Sequence, residues 1–174
     1  MKKFLQFLLL ILSYTFTANS FAQLNNNCAN AVNVCNNQLA EQLDDGPGTQ
    51  ECPTGGCGCM LAGEKNTRWF RITVATAGTL EFTIRPYAGT ADYDFSVWNQ
   101  GVGGSCPTGG RLDTPDRCNF ASPKSPTGIR GTGGNNSEPA SGNLFSNNMA
   151  VTAGQVIYIL VDNYDGTQEG FYLD

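Results

Sequence analysis

The stretch that most constrains the fold is Gln155–Tyr164, with the sequence QVIYILVDNY. It is an apolar run, rich in β-branched and aromatic residues, that ends in an Asp-Asn pair and is followed at once by Asp165-Gly166. Such a run is typical of a central strand that is buried on both faces, and it is too short for a convincing helix. We therefore expect the preceding chain to supply strands that pack on it, and residues 170–174 to supply one more.

Three further stretches alternate apolar and polar residues with the period of two that is typical of half-buried strands. They are residues 67–75, 80–85 and 92–98. The first two are separated by a short Gly-containing turn, which predicts a β-hairpin. Shorter candidate strands lie at 118–121, near 129 and at 144–151.

The mature chain has no amphipathic pattern of helical length. The sequence therefore predicts an all-β fold, an antiparallel β-sandwich of the jelly-roll or another Greek-key type, with long disulfide-stapled loops. We expect residues 67–174 to form the sandwich and residues 23–66, which are rich in Cys, Asn and Gly, to pack on it. The last residues look like the start of a strand, so we expect the sandwich to be cut short there and a longer parent protein to supply other domains.

The first 22 residues have the pattern of a secretory signal peptide that is cleaved after Ala22. They begin with Lys2-Lys3, continue through FLQFLLLIL and end at Ser20-Phe21-Ala22. No later stretch approaches the roughly 20 apolar residues of a membrane span, so we expect no span in the mature chain. The predicted location is extracellular or at the cell surface.

The net charge narrows the choice of partners. Removal of Lys2 and Lys3 with the signal peptide takes the formal net charge from −5 to −7. A chain of this charge repels phosphate backbones, so nucleic acid is excluded as a partner. The acidic surface is compatible with cations or basic partners, and equally with a simple role in solubility.

Seven cysteines in an exported chain predict a disulfide framework, and the odd number leaves at least one cysteine outside it. Cys106 and Cys118 flank one loop between strands and are the favoured pair; their bond would contribute roughly 3 kcal/mol in the chain-entropy model. Cys28 and Cys35 could close a small loop, or each could tie its segment to the sandwich. The cysteines predicted to form disulfides are Cys28, Cys35, Cys52, Cys59, Cys106 and Cys118. A thiolate metal site at Cys52, Cys57 and Cys59 is several-fold less probable than disulfides in an oxidised chain.

The sequence contains no histidine, which removes Ser-His and Cys-His pairs and the usual ligand set of zinc hydrolases. Asp92 and Asp94 are the obvious candidates for a glycosidase carboxylate pair, since residues two apart on a strand lie ~6.5–7 Å apart. Nothing else in the sequence marks a general acid. We therefore predict that the protein is not an enzyme.

Two kinds of binding residue are candidates. Oxygen-bearing side chains at strand ends are the ligands that Ca²⁺ prefers, although the same residues also cap turns. The candidate calcium ligands are Asp92, Asp94, Asp162, Asn163 and Asp165. By alternation, Trp69 and Trp98 fall on the faces of their strands that point away from the core, where a sugar ring could stack on them. The alternative, which we favour, is that a second sheet or the loop region 99–143 covers them.

Several motifs together carry a family resemblance. They are CANAVNVC, GCMLAGEKNTRWFRITV, GTLEFTI, DYDFSVW, RCNFA, TGI and VTAGQVIYILVDNY with EGFYLD. This succession resembles the cysteine-containing β-sandwich module of large secreted surface proteins of Bacteroidota, many of which end in a gliding-motility-associated or type IX secretion sorting domain. More distantly, it is similar to bacterial pre-peptidase C-terminal domains, which include calcium binders.

The resemblance covers most of residues 28–174, and DYDFSVW and LVDNY are its most specific motifs. Cys57 looks like an extra cysteine against the family pattern, and the sequence has no sorting domain. The resemblance implies an accessory or adhesive module. We therefore predict a non-catalytic cell-surface module for adhesion or for binding an extracellular polysaccharide or protein ligand, with Ca²⁺ as its candidate cofactor. The alternatives are a structural spacer of a larger surface protein and an accessory domain of a secreted hydrolase.

Overall fold

The computed structural model describes residues 25–35, 38–41 and 46–174, so the predicted signal peptide lies outside the described residues. Apart from two short 3-10 turns, the regular structure within these ranges is entirely β. The strands are β1 Val32–Asn33, β2 Leu39–Glu41, β3 Thr67–Thr73, β4 Gly78–Leu80, β5 Phe82–Pro86, β6 Tyr93–Val102, β7 Arg117–Asn119, β8 Thr127–Ile129, β9 Ser137–Glu138, β10 Phe145–Ser146, β11 Met149–Val151, β12 Gln155–Asn163 and β13 Phe171–Leu173.

The strands form two larger sheets that pack face to face, which confirms the predicted β-sandwich. The six-stranded sheet has the order β1-β3-β12-β6-β7-β9, the five-stranded sheet has the order β10-β8-β5-β13-β2, and β4 and β11 form a separate ribbon. The long central pairs are antiparallel. The parallel pairs β1–β3, β7–β9 and β8–β10 each include a strand at a sheet edge.

Strand β12 is the central strand that the sequence predicts. It pairs with β3 along one side and with β6 along the other. Alternate side chains enter two different cores: Ile157, Ile159 and Val161 on one face, and Tyr158 and Leu160 on the other. The strand is therefore apolar throughout because both of its faces are buried.

The first of these cores lies between the two sheets and is called here the inter-sheet core. Phe70, Phe95 and Val97 reach it from the six-stranded sheet, and Ile84 and Phe171 reach it from the five-stranded sheet. Its aromatic rings meet edge to face, a favourable geometry for rings in a packed core. These residues are the ones that the alternating patterns place on one face.

The second core lies on the outer face of the six-stranded sheet. Residues 25–31 and 46–66, called here the cover, lie across this face and bury Trp69 and Trp98 completely. The two indole rings stack with their centroids 5.3 Å apart. Hydrogen bonds fix the cover in place: the Ser96 hydroxyl donates to the Cys57 carbonyl at 2.8 Å, and the backbone N–H of Trp69 donates to the Asn25 carbonyl at 2.6 Å. We call this second cluster the cover core.

The disulfides differ from the predicted pairs, because Cys106 is bonded to Cys28 and Cys118 to Cys59. The prediction of a Cys106–Cys118 bond is therefore wrong, since each of the two sulfurs meets a cysteine of the cover instead. The Cα atoms of the two observed pairs lie 5.9 and 5.6 Å apart, within the range that a disulfide needs.

The prediction that Cys35 is bonded is also wrong. Cys35 is exposed just beyond β1 and is the free cysteine that the odd count requires. Cys57, which looked like the extra cysteine, is bonded to Cys52. All seven cysteines lie within the described residues, so the framework is three disulfides and one thiol.

The predicted hairpin of β3 with the following strand is wrong. Strand β3 pairs with β1 and β12, whereas β5 lies in the other sheet between β8 and β13. Strand β1 pairs with one side of β3 and β12 with the other, and the chain crosses to the other sheet after β3. The other predicted strands are present.

The amino-terminal segment also contributes to the sheets themselves. Strand β1 adds to the edge of the six-stranded sheet beside β3, and β2 pairs with β13 in the five-stranded sheet. The sequence predicted only that this segment packs on the sandwich. Within the ranges that the structure describes, no helix has the length and apolar character needed to cross a membrane.

Candidate acidic site beside the cover

A group of acidic side chains lies where β6 begins and β12 ends, at the border of the cover. Asp94 of β6 is directly opposite Asp162 of β12, and Asp92 immediately precedes β6. Two of these carboxylates, Asp92 and Asp94, line a cavity of about 400 Å³. We call this cavity the acidic pocket; its lining residues are Leu61, Ala62, Asp92, Asp94, Phe120, Ser122, Ala140 and Tyr164.

The backbone N–H and carbonyl groups of Asp92 are hydrogen-bonded, while one oxygen of its carboxylate lacks a hydrogen-bond partner. Its N–H donates to Oδ2 of Asp165 at 3.1 Å, and its carbonyl accepts from the Tyr164 N–H at 2.9 Å. The residue is only 6% exposed, and its Oδ1 atom is buried without a hydrogen-bond partner. A buried carboxylate oxygen of this kind costs free energy unless a ligand satisfies it.

Asp94 carries the strongest electrostatic perturbation of the site. Burial and the neighbouring carboxylates of Asp92, Asp162 and Asp165 raise its pKa to about 8. Burial, followed by repulsion from Asp165, also raises the pKa of Asp92. Like charges opposite each other on neighbouring strands are destabilising. The site is therefore arranged so that an arriving cation would be favoured.

The Asp162 side chain attaches the cover to the sheet. Its Oδ1 atom accepts from the backbone N–H groups of Lys65 and Asn66 at 2.8 and 2.9 Å, which fastens the end of the cover to β12. Burial raises its pKa to about 6, although these two hydrogen bonds oppose the shift. The carboxylate is thus already engaged with the protein.

The last two candidate calcium ligands also have partners within the protein. Asp165 accepts the Asp92 N–H and forms an ion pair with Lys124 at 2.9 Å. The Asn163 side-chain nitrogen donates to the carbonyl and hydroxyl oxygens of Thr167 at 3.1 and 2.9 Å, while its Oδ1 atom is buried without a hydrogen-bond partner. The structure thus gathers the candidates around the strand ends, but only Asp92 and Asp94 face the acidic pocket.

Taking residues 25–35, 38–41 and 46–174 together, no group of three or more His, Cys, Asp or Glu side chains is arranged to hold a metal ion. Calcium binding by Asp92, Asp94, Asp162, Asn163 and Asp165 remains a prediction, and of these residues Asp92 and Asp94 line the acidic pocket. The candidate thiolate site is replaced by disulfides, because Cys52, Cys57 and Cys59 are all bonded.

The prediction that Trp69 and Trp98 bind a ligand at the surface is wrong. Alternation places both side chains on the outer face of the sheet, as expected, but the cover and the loop after β6 enclose them. The Trp98 indole N–H donates to the Leu112 carbonyl at 3.3 Å. The favoured alternative is right that the two rings are covered, but the covering segment is mainly residues 25–31 and 46–66, with a part from the loop region 99–143, and not a second sheet.

The apolar rim of the acidic pocket was missed from the sequence. Leu61 and Tyr164 are 49% and 46% exposed, which is unusual for large apolar residues in the part of the chain that the structure describes. The Lys65 ammonium group lies 5.6 Å from the centre of the Tyr164 ring. Leu61 belongs to the irregular cover and Tyr164 follows the end of β12, so no periodic pattern could have brought them together.

Glu64 is a second acid that the sequence did not mark. Its side chain is buried in the cover, and Oε2 accepts the Glu51 N–H at 2.8 Å. Burial raises its pKa to about 8, while backbone hydrogen bonds from Glu51 and Cys52 oppose the shift. Glu64 thus holds the backbone of the cover, and it is not among the residues that line the acidic pocket.

Comparisons with known proteins give one similar structure. No protein-family model matches the sequence, and no curated protein matches it. The 1.0 Å crystal structure of the pre-peptidase C-terminal domain of collagenase from Bacillus anthracis is similar over 83% of this chain and 92% of that chain, with a TM-score of 0.46 and 11% sequence identity. Domains of this type are the ones to which the sequence motifs have a distant resemblance. A similarity of this size assigns no role to any residue.

Proposed function

We propose that this chain is a non-catalytic binding module of a larger exported protein and that its ligand occupies the acidic pocket. The observation that carries the proposal is the carboxyl group of Asp92, a residue that lines a cavity of about 400 Å³ and whose Oδ1 atom is buried without a hydrogen-bond partner. Ligand sites in proteins are concave, largely apolar and of roughly 300–1,000 Å³, with a few polar groups that orient the ligand. The acidic pocket has this composition.

The mechanism is passive. Three disulfides support export to an oxidising compartment, where such bonds form and persist. Two of them tie the cover to the rest of the chain, so the Leu61 side of the acidic pocket is pre-positioned against the strand ends. A ligand would bind without ordering a loop, and affinity is gained when this cost is avoided. In an adhesive surface protein the ligand would be an extracellular polysaccharide or protein.

The test is a binding screen of the oxidised mature chain on arrays of polysaccharides and extracellular matrix proteins. The wild type is compared with the double variant Asp92→Asn/Asp94→Asn, which keeps the size of both side chains and removes their charge. We expect at least one ligand that the wild type retains and the double variant loses. Binding that is equal for both proteins, or no binding at all, would overturn the proposal and favour the structural spacer.

Calcium is the second candidate ligand. It is favoured by the oxygen chemistry of Asp92 and Asp94, which would hold the ion and have their repulsion neutralised by it. A bound ion would raise the melting temperature in millimolar CaCl₂, EDTA would reverse the increase, and Asp94→Asn would abolish it. A melting temperature that is the same in CaCl₂ and in EDTA would remove calcium from consideration.

A further inference from the structure

The acidic pocket combines two buried carboxyl groups, Asp92 and Asp94, with the apolar side chains of Leu61 and Tyr164, and this combination narrows the class of ligand. This inference rests on the proposed function, because it concerns the same pocket. We propose that the acidic pocket receives the side chain of a lysine or arginine from a protein partner. Its cationic group would lie at Asp92 and Asp94, and its alkyl stem would lie along the apolar walls.

The acidic side chains of the pocket favour a cationic ligand. Asp92 is more than nine-tenths buried, lines the pocket and has an unpartnered Oδ1 atom, and Asp94 lies two residues further along. Two ammonium groups lie near the pocket: Lys124 pairs with Asp165 and acts to lower the pKa of Asp92, and Lys65 lies over the ring of Tyr164 at the pocket wall. Neither lysine lines the pocket, so a cationic ligand can reach Asp92 and Asp94, and charge-assisted hydrogen bonds to carboxylates are among the strong ones.

The apolar walls of the pocket favour a cation that carries an alkyl stem. Of the three exposed large hydrophobic residues in the described chain, Leu61 and Tyr164 lie at this pocket and only Val102 lies elsewhere. Lysine and arginine bury their methylene groups along apolar surface while the charged head reaches a polar one. A hydrated metal ion would gain nothing from such walls. The contact of Lys65 with Tyr164 also shows that this ring accepts an alkylammonium group by a cation–π interaction.

The number of carboxylates that face the pocket favours an organic cation over Ca²⁺. Ca²⁺ takes 6–8 oxygen ligands, and only two carboxylates face this pocket. An ammonium or guanidinium group needs only a few acceptors, and two carboxylates supply them. The chain also carries a net negative charge, which would steer a basic partner toward it.

The experiment is an NMR titration of the oxidised mature chain with two short peptides. One is acetyl-Gly-Gly-Lys-Gly-Gly-amide; the other has norleucine, which has a similar aliphatic side chain without the charge, in place of lysine. We expect the lysine peptide to shift the backbone amide signals of residues 92–94 and 164, and the norleucine peptide to leave them unchanged. Equal shifts with both peptides would overturn the inference, since the pocket would then select only apolar groups.

Variants separate the pocket from the net charge of the protein. Asp92→Asn should weaken binding of the lysine peptide at least about tenfold, as expected when one member of a buried charge pair is removed. The matched control is Asp174→Asn, which changes the net charge equally but removes a partner of Arg85 that does not line the pocket. Equal weakening by the two variants would overturn the inference. Unchanged tryptophan emission, from Trp69 and Trp98 in the cover core, verifies that a variant is folded.

The remaining outcomes distinguish this inference from the proposed function. If CaCl₂ shifts the signals of residues 92–94 and the lysine peptide does not, the pocket is a metal site and the inference fails. If array ligands are lost in Asp92→Asn/Asp94→Asn but the lysine peptide does not bind, the proposed function stands and the inference fails. Leu61→Ala should weaken the lysine peptide without changing the charge, and an unchanged affinity in this variant would contradict the role of the apolar walls.

Discussion

The two faces of the six-stranded sheet are buried in different ways. Between the sheets, strands with alternating apolar residues meet strands of the same kind, and packing alone accounts for the inter-sheet core. On the outer face, the sheet meets the cover, which contains little regular structure and few large apolar residues. There, bonded cysteines and two stacked tryptophans form the cover core.

The comparison shows how a chain can bury a sheet with a segment that has little hydrophobic surface of its own. A segment rich in Asn, Gly and Cys cannot gain enough from burial to offset its conformational entropy. Disulfides reduce that entropy in the unfolded chain, so the segment remains on the sheet. The irregular backbone of the cover then leaves a cavity at its border, which is where the acidic pocket lies.

The largest effect should come from removing the disulfide between Cys28 and Cys106. The two residues are 78 positions apart, and a loop of this length corresponds to about 4 to 5 kcal/mol in the chain-entropy model. In Cys28→Ala/Cys106→Ala, the free energy of unfolding in urea should fall by about this amount. Because both tryptophans lie in the cover core, their emission should shift to longer wavelength while amides of β5 keep their protection from hydrogen exchange.

The matched control is Cys52→Ala/Cys57→Ala, which opens a bond between residues only 5 positions apart. The same model gives about 2 kcal/mol for a loop this short. Equal losses for the two double variants would contradict the view that long-range disulfides hold the cover. Loss of β5 protection in the first variant would show that the two cores do not separate.

The next largest effect comes from neighbouring residues of β12 that enter different cores. Ile159 lies in the inter-sheet core and Leu160 in the cover core, and both are fully buried. Each change to alanine should cost about 2 to 5 kcal/mol in the oxidised protein, from lost burial and the cavity that remains. The free energy of unfolding in urea measures both costs.

Combining Ile159→Ala and Leu160→Ala with Cys28→Ala/Cys106→Ala tests whether the two cores depend on this disulfide to different extents. If the cover is loosened in that background, Leu160→Ala should cost much less there, while the cost of Ile159→Ala should be unchanged. This difference is an interaction energy of the kind that double-mutant cycles isolate. Equal costs in both backgrounds would mean that the cover remains packed without the disulfide.

Much of the inter-sheet core could be predicted from the sequence, because alternation fixes which side chains of β3, β5 and β6 point inward. The double burial of β12 was also predictable from its continuous apolar run. The hairpin was not, because a turn and two alternating strands do not determine which sheet the second strand joins. The pairing of Cys28 with Cys106 depends on how the cover crosses the sheet, and no periodicity encodes that path.

The candidate site was predicted in part for the same reason. Asp92 and Asp94 stand out because they interrupt the apolar pattern at the start of a strand. Their neighbours Leu61 and Tyr164 carry no such mark, since one belongs to the irregular cover and the other follows the last residue of β12. Sequence could likewise place Trp69 and Trp98 on the outer face but could not show the cover above them.

The next effect depends on pH and concerns the acids at the border of the cover. The pKa of Asp94 is about 8 in the folded chain, well above the roughly 3.9 of an unfolded one, so the folded state binds more protons between these values. Stability should therefore fall as the pH rises from 5 to 8, by at most about 1.4 kcal/mol per pH unit for each such group. Glu64 acts in the same direction. The groups that face Asp94 are Asp92, Asp162 and Asp165, with Lys65 and Lys124 beside the last two.

The measurement is urea unfolding of wild type and Asp94→Asn at several pH values. The variant removes one titrating group without changing its size, so its stability should depend less on pH and should exceed that of the wild type most clearly at pH 8. Asp174→Asn, at a half-exposed surface pair with Arg85, is the control and should keep the pH dependence of the wild type. Parallel curves for wild type and Asp94→Asn would show that Asp94 is ionised without cost.

The smallest effect on stability should come from substitution of Cys35, the cysteine that forms no disulfide with the cover. Cys35 is exposed beside the inter-sheet core, whereas the other six cysteines are bonded, all of them by disulfides that involve the cover. Cys35→Ser should change the free energy of unfolding by no more than about 0.5 kcal/mol, as is usual for surface substitutions. A thiol reagent should label one cysteine per native wild-type chain and none in the variant. Labelling of a second cysteine, or a large loss of stability in Cys35→Ser, would show that Cys35 competes with a cover cysteine for its partner.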